Sequence, residues 1–254
     1  MTDLWSLVFG VGIGLLLGLV GGGGSILTVP ILVYAIGLDV REATATSLVV
    51  VGVTALVGAI PHARQGRVAP RTALAFGGTG ILGAFAGTWL NTRVAGPVIL
   101  FLFGVLMLVV AARMAFTRKP GANRPEGDRA PRFRWPVLVA GLVVGVMTGF
   151  FGVGGGFLIV PALVLVLGFP MRSAVGTSLV IIAINSAAGA LAHLGAGGVD
   201  VRIALLFIVG GFVGTTLGAR LVGVVDEDKL ARSFAGLVAL VGVYLIGRNV
   251  GVLI

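Results

Sequence analysis

The chain holds only two histidines, His62 and His193, and they stand 131 residues apart. Imidazole titrates near neutral pH, so rings near span ends could couple a proton or touch an anion. The plainer reading is an interfacial ring satisfied by water or backbone. Cysteine is absent and no acid cluster adjoins either ring, so no metal site is expected. Other polar residues repeat at the same spacing. Thr46-Ser47 matches Thr177-Ser178. Their hydroxyls could cap or back-bond their own helix, or they could donate to the oxygens of an oxyanion. Asn185 is a lone amide in an apolar stretch, where polar groups are costly and usually functional. Its counterpart in the spacing is Thr54.

Glycine supplies the other candidate chemistry. Gly21-Gly22-Gly23-Gly24-Ser25 and Gly152-Val153-Gly154-Gly155-Gly156 each precede a proline, Pro30 and Pro161. Small residues line contacts between membrane helices, which is one reading. A run of four exceeds what packing needs and disfavours continuous helix. Freed N–H groups inside a membrane must find partners. Aimed into a cavity from a new helix start, they form an anion site. The candidate binding residues are therefore Gly23, Gly24, Ser25, Thr46, Ser47, Gly154, Gly155, Gly156, Thr177, Ser178 and Asn185. His62 and His193 are candidates for coupling or gating.

The acidic residues inform by position. Asp3, Asp39, Glu42, Glu126, Asp128, Asp200, Asp226, Glu227 and Asp228 all fall at span ends or in loops. Carboxylate relays, cation sites and aspartyl proteolysis need acids within spans. No Gly-x-Ser-x-Gly occurs. The interior is uncharged, so its field comes from helix ends and amides, which suits an anion. No enzyme activity and no cofactor are expected.

The elements that position these residues are apolar. Hydrophobic residues make up 57% of the chain and charged ones 11%, too little polar surface for a soluble domain. Several stretches reach the length of about 18 residues that crosses a bilayer, and none alternates as a barrel strand would. The net charge of +9 does not point to nucleic acid, because seven Lys and Arg fall between Arg113 and Arg134, in one loop. Such loops mark the cytoplasmic side. The start, Met1-Thr2-Asp3, lacks the basic region of a cleaved leader, so the stretch from Leu4 is expected to be a retained membrane segment.

The 131-residue offset holds without a gap for about 70 residues and aligns Pro, His, Arg and Thr-Ser together. Shared membrane composition would scatter such matches. Duplicated halves are common in transporters, with the substrate between them. Apolar segments run at about 4–37, 43–61, 70–91, 96–116, 136–168, 173–194, 202–222 and 230–248. The first and fifth would each span about 50 Å against a core of about 30 Å. Each is expected to break at its glycines.

The expected fold is an all-α integral membrane protein, a single domain over 1–254. Repeat 1 covers about 4–116, a cytoplasmic basic loop 117–135, and repeat 2 about 136–254. Each repeat holds a Gly-broken, re-entrant segment plus three spanning helices. Inverted repeats are favoured over parallel ones, because that topology places more of the 18 Lys and Arg inside.

The doubled Gly-to-Pro signature, Ala-Thr-Ser-Leu and Gly-Thr-Ser-Leu after Ala43 and Ala174, and the central basic loop together resemble the TauE/SafE family of sulfite exporters. The resemblance covers essentially the whole sequence, with Gly22 standing where the second copy has Val153. It implies transport, often outward, of small sulfur-containing or carboxylate anions such as sulfite or organosulfonates across the inner (plasma) membrane. The alternatives are a channel-like anion uniporter and a non-catalytic membrane accessory subunit. The expected partners are the small anion, the lipid bilayer and a second copy in a homodimer.

Overall fold

The computed structural model describes residues 2–20, 23–116, 134–152, 156–193, 198–221 and 227–249. Among them every regular element is helical: α1 Thr2–Val20, α2 Gly23–Ile31, α3 Val40–Arg64, α4 Pro70–Asn91, α5 Gly96–Phe116, α6 Arg134–Phe151, α7 Gly156–Pro161, α8 Met171–His193, α9 Val201–Leu221 and α10 Glu227–Asn249. Five are long and apolar enough to cross a bilayer: α3, α4, α8, α9 and the Gly96–Arg113 part of α5. Their outer faces carry Leu56, Leu74, Leu82, Phe85, Leu205 and Phe212, all exposed. Hydrocarbon can cover such faces and water cannot.

Both long apolar segments are divided where the glycines fall. α1 ends at Val20 and α2 opens at Gly23. A Cβ on Gly24 would collide with the carbonyl of Ile13 and with Leu17. A continuous helix would hold Gly24 about 16 Å from Ile13, so the chain has reversed between them. α6 ends at Phe151, and Gly152 takes a left-handed φ of 70° that stops it. Gly154 and Gly155 lie outside the described residues.

After the breaks the two segments continue alike. Pro30 and Pro161 lack an N–H, and a π-helical stretch follows each within two residues, Leu32–Ile36 and Ala162–Val166. A wider turn is one way to absorb a proline within a helix. The stretches close on matching bonds, Leu38 N–H to the Leu32 carbonyl (3.0 Å) and Phe169 N–H to that of Leu163 (2.9 Å).

Helices pack through bare backbone. Gly10, Gly14 and Gly18 of α1 meet Phe207, Gly211 and Thr215 of α9. Gly141, Gly145 and Gly149 of α6 meet Phe76, Gly80 and Ala84 of α4. Both series advance in the same sense, so each pair runs parallel. A methyl on Gly14 or Gly145 would collide with a carbonyl oxygen of the facing helix. Within a bilayer such close approach, not hydrophobic exclusion, drives helix association. α3 and α8 cross in opposite senses: Leu48 faces Gly189, Gly52 faces Ser186 and Gly58 faces Leu179. α5 and α10 are also antiparallel, with Gly104 against Ile246 and Gly242 against Leu108. Phe103, Met107, Phe151, Val238 and Leu245 join the core beside that pair.

Candidate functional site

The candidate residues gather on α3 and α8, whose crossing lies at Gly52 and Ser186. Asn185 sits at this crossing with no exposure at all. Neither its Nδ2 nor its Oδ1 has a hydrogen-bond partner. It faces Gly80 of α4, where even a Cβ would strike the amide. The next residue, Ser186, also has a buried and unpartnered hydroxyl. Thr54 is buried too, but its hydroxyl donates to the Val50 carbonyl at 2.7 Å and its methyl meets Gly211 on α9. Thr54 and Asn185 therefore face different helices.

The two Thr-Ser pairs occupy opposite ends of the crossing. From the pairing of α3 with α8, Thr46 and Thr177 lie about 20 Å apart along the axes. The structure does not bring them into one shell. Each hydroxyl instead accepts from the residue preceding another helix: Thr46 Oγ1 from Asp200 N–H (3.1 Å) at the start of α9, and Thr177 Oγ1 from Ala69 N–H (3.0 Å) at the start of α4. Helix starts leave N–H groups unpaired, so these threonines fill a capping role from outside the helix they cap. Ser178 donates to Val175 O at 2.8 Å, whereas buried Ser47 Oγ has no partner. Thr44, next to the first pair, donates to Val40 O at 2.7 Å.

At the half-helix starts, Gly23 opens α2 and Gly156 opens α7. Gly24, Ser25 and Gly156 are all buried. The collision a Cβ on Gly24 would suffer shows a packing role at that position.

His62 and His193 are each 1% exposed and lie on opposite sides of the crossing. His193 Nδ1 stands 2.9 Å from the Gly189 carbonyl and 3.1 Å from Thr88 Oγ1. Because a carbonyl only accepts, Nδ1 carries a proton, and Nε2 is buried without a partner. Neither ring nitrogen of His62 has a partner of hydrogen-bond geometry, although the Gly18 backbone lies beside the ring. Among the described residues, no three His, Cys, Asp or Glu come together as a metal site would need.

Sequence reasoning missed Ser186, Thr88, Asn91 and the glycine seams. Asn91 Nδ2 donates to the Phe150 carbonyl at the end of α6 (2.7 Å). The seams carried a readable signal, since glycine recurs every fourth residue from Gly10 and from Gly141. A groove of about 390 Å³ beside α4, α5 and α6 is lined by Leu90, Leu102, Val105, Val146 and Phe150. Its apolar lining makes it no place for an anion.

The arrangement is a multi-pass bundle with uncharged polar groups sealed at its centre. The family model described as "Sulfite exporter TauE/SafE" matches residues 6–245. A "Probable membrane transporter protein" of Xylella fastidiosa (strain 9a5c) is 37% identical, over 93% of this chain and 92% of its own. The "Probable membrane transporter protein YunE" of Bacillus subtilis (strain 168) is 30% identical, over 98% and 99%. YdhB of the same organism, also described as a probable membrane transporter protein, is 26% identical, over 92% and 96%. No solved structure matches. A match along nearly the whole length, to transporters and not to enzymes, places this chain in the sulfite exporter TauE/SafE family of membrane transporters.

Proposed function

We propose that the chain exports small sulfur-containing or carboxylate anions, such as sulfite or organosulfonates, from a site at the α3–α8 crossing. One observation carries this reading: Asn185 is wholly buried at the crossing with both amide atoms unpartnered. A buried polar group normally finds a partner, and in a transporter the missing partner is the cargo. Ser186 and the half-helix starts at Gly23–Ser25 and Gly156 complete the shell. Thr46-Ser47 and Thr177-Ser178 contact the anion in turn as it approaches or leaves on either side. A shell without fixed charge suits release as well as binding.

The site belongs to an inverted pair of repeats in the plasma membrane. In support, α3 and α8 correspond under the 131-residue offset and run antiparallel, as do α5 and α10. α1 packs on α9, and their counterparts α6 and α4 pack together in the same way. With the basic loop 117–135 inside, the N-terminus and the C-terminus then both lie outside.

The test is uptake into vesicles holding the purified chain. Labelled sulfite, an organosulfonate and a small carboxylate are offered with and without a pH gradient. Uptake of at least one above protein-free vesicles, slowed when Asn185→Leu removes the amide, is the expected result. Wild-type vesicles that carry none of the three would sink the reading.

A further inference from the structure

The carboxamide of Asn185 differs from the buried hydroxyls of Thr54, Thr148 and Ser178 in what it lacks. Thr54 donates to Val50 O (2.7 Å), Thr148 to Val144 O (2.9 Å) and Ser178 to Val175 O (2.8 Å). A hydroxyl can meet its need within one turn of its own helix. An amide has two needs, a donor and an acceptor side by side, and here neither is met. The helix facing it offers a bare glycine, Gly80.

A ligand that satisfies both atoms must itself hold an acceptor beside a donor. A fully ionised oxyanion holds acceptors alone. It would take the Nδ2 hydrogen and set a negative oxygen against Oδ1. An oxyacid group that keeps one O–H fits both: the O–H donates to Oδ1, and the neighbouring oxygen accepts from Nδ2. This holds whichever way round the amide lies, because the pairing is reciprocal.

Charge points the same way. The charged and titratable groups on the described elements packed around α8 are Arg41, Glu42, His62 and Arg64 on α3, Arg71 on α4, Arg134 on α6, and Arg172 and His193 on α8 itself. All stand within four residues of a helix end. α7 and the π-helical stretch after it carry none. His193, eight residues from Asn185, is about 12 Å away along the axis. Burying charge without a counter-charge is expensive, and a proton kept on the ligand removes one unit of it.

Resting on the transport function proposed above, we infer that Asn185 selects the hydrogen-bearing form of an oxyacid, so that proton and anion cross together on one molecule. No side chain needs to titrate at the centre, and no bond is made or broken in transit.

The experiment uses the full chain in proteoliposomes, with protein-free vesicles subtracted. Initial uptake of labelled sulfite, at fixed total concentration, is followed as pH is lowered, beside methanesulfonate, which stays a bare anion throughout. Sulfite uptake is expected to rise in step with its hydrogen-bearing fraction. Methanesulfonate is expected to move at least about tenfold more slowly, the effect of one lost hydrogen bond with its acceptor stranded. Asn185→Thr places there the residue found at position 54, whose hydroxyl bonds its own helix. It should bring the sulfite-to-methanesulfonate ratio close to one and flatten the pH profile. Methanesulfonate carried as fast as sulfite, or a variant that keeps the wild-type ratio, overturns selection by Asn185 and leaves transport standing. Vesicles that carry neither, nor a small carboxylate, overturn the transport reading together with it. The wild-type ratio decides the question even if the variant fails to fold.

Discussion

His193 is held and His62 is not, although the sequence places the two rings at equivalent positions. One difference lies on the neighbouring helix. Thr88 on α4 reaches His193 Nδ1 at 3.1 Å, and the residue 131 places after Thr88 is Ala219, which has no hydroxyl to offer. The same contrast appears at the centre, where Thr54 satisfies itself on Val50 and Asn185 satisfies nothing. The backbone matches between the halves are far closer. Gly10, Gly14 and Gly18 repeat as Gly141, Gly145 and Gly149, in seams of the same design. Where backbone meets backbone, neither seam has room for a side chain. Where only a polar atom is held, the residues at the two positions differ, and there the chemistry is one-sided.

The largest expected effect tests whether the halves are related as proposed. In a cysteine-free chain, a cysteine placed at Asp228 near the start of α10 should react with a membrane-impermeant reagent only from the cytoplasmic face. The outcome is all or none. Labelling from outside in intact cells would break the inverted arrangement and with it the comparison of equivalent sites.

Next in size come the seams. Gly14→Leu and Gly145→Leu each push a side chain into a facing carbonyl. Each should destabilise the folded chain by about 1–3 kcal/mol or more, read as a lower midpoint of thermal unfolding in detergent. The two losses should agree within about 1 kcal/mol. A large loss in one and none in the other would mean that the seams are not equivalent supports.

A smaller effect sharpens the contrast between the rings. Thr88→Ala should leave the His193 ring with Gly189 alone and cost about 1 kcal/mol. Ala219→Thr should give His62 the neighbour that His193 has. Nitrogen NMR on ring-labelled protein should show His193 held as the Nδ1–H tautomer in the wild type. It should show His62 moving toward the same state only in the Ala219→Thr variant. Identical spectra for the two rings in the wild type would remove the asymmetry.

Much of the scaffold is legible in the sequence, because glycine and proline carry backbone consequences that burial cannot override. The runs at 21–24 and 152–156 mark the breaks, and excess length at 4–37 and 136–168 points to the same places. Pro30 and Pro161 signal some irregularity, though not the π-helical stretches that absorb them. The site is less legible. Gly24 reads as an anion contact ahead of a packing contact until its neighbour Ile13 is known. Thr46 and Thr177 share a motif and a spacing, which suggests one shell. An antiparallel pair of helices puts equivalent residues at opposite ends, so the repeat that makes them conspicuous also keeps them about 20 Å apart.

The smallest effect compares the two ends through those threonines. Thr177→Val removes the acceptor for Ala69 N–H, and Thr46→Val removes that for Asp200 N–H. The two helix starts are not otherwise alike. Ala69 has no capping side chain, and α4 begins on Pro70. At α9, Asp200 Oδ1 itself accepts from Ile203 N–H at 2.9 Å, so one of the orphan donors there is already satisfied. An unmet N–H at the start of α4 is therefore a larger share of that end's needs. Each valine should cost about 0.5–2 kcal/mol, the usual range for a lost cap, with Thr177→Val the more costly by about 0.5 kcal/mol. Thermal unfolding of both variants, beside Asp200→Ala combined with Thr46→Val, measures the difference. The combined variant strips α9 of both supports and should fall to or below Thr177→Val. If Thr46→Val alone already costs more than Thr177→Val, the aspartate cap is not what separates the two ends.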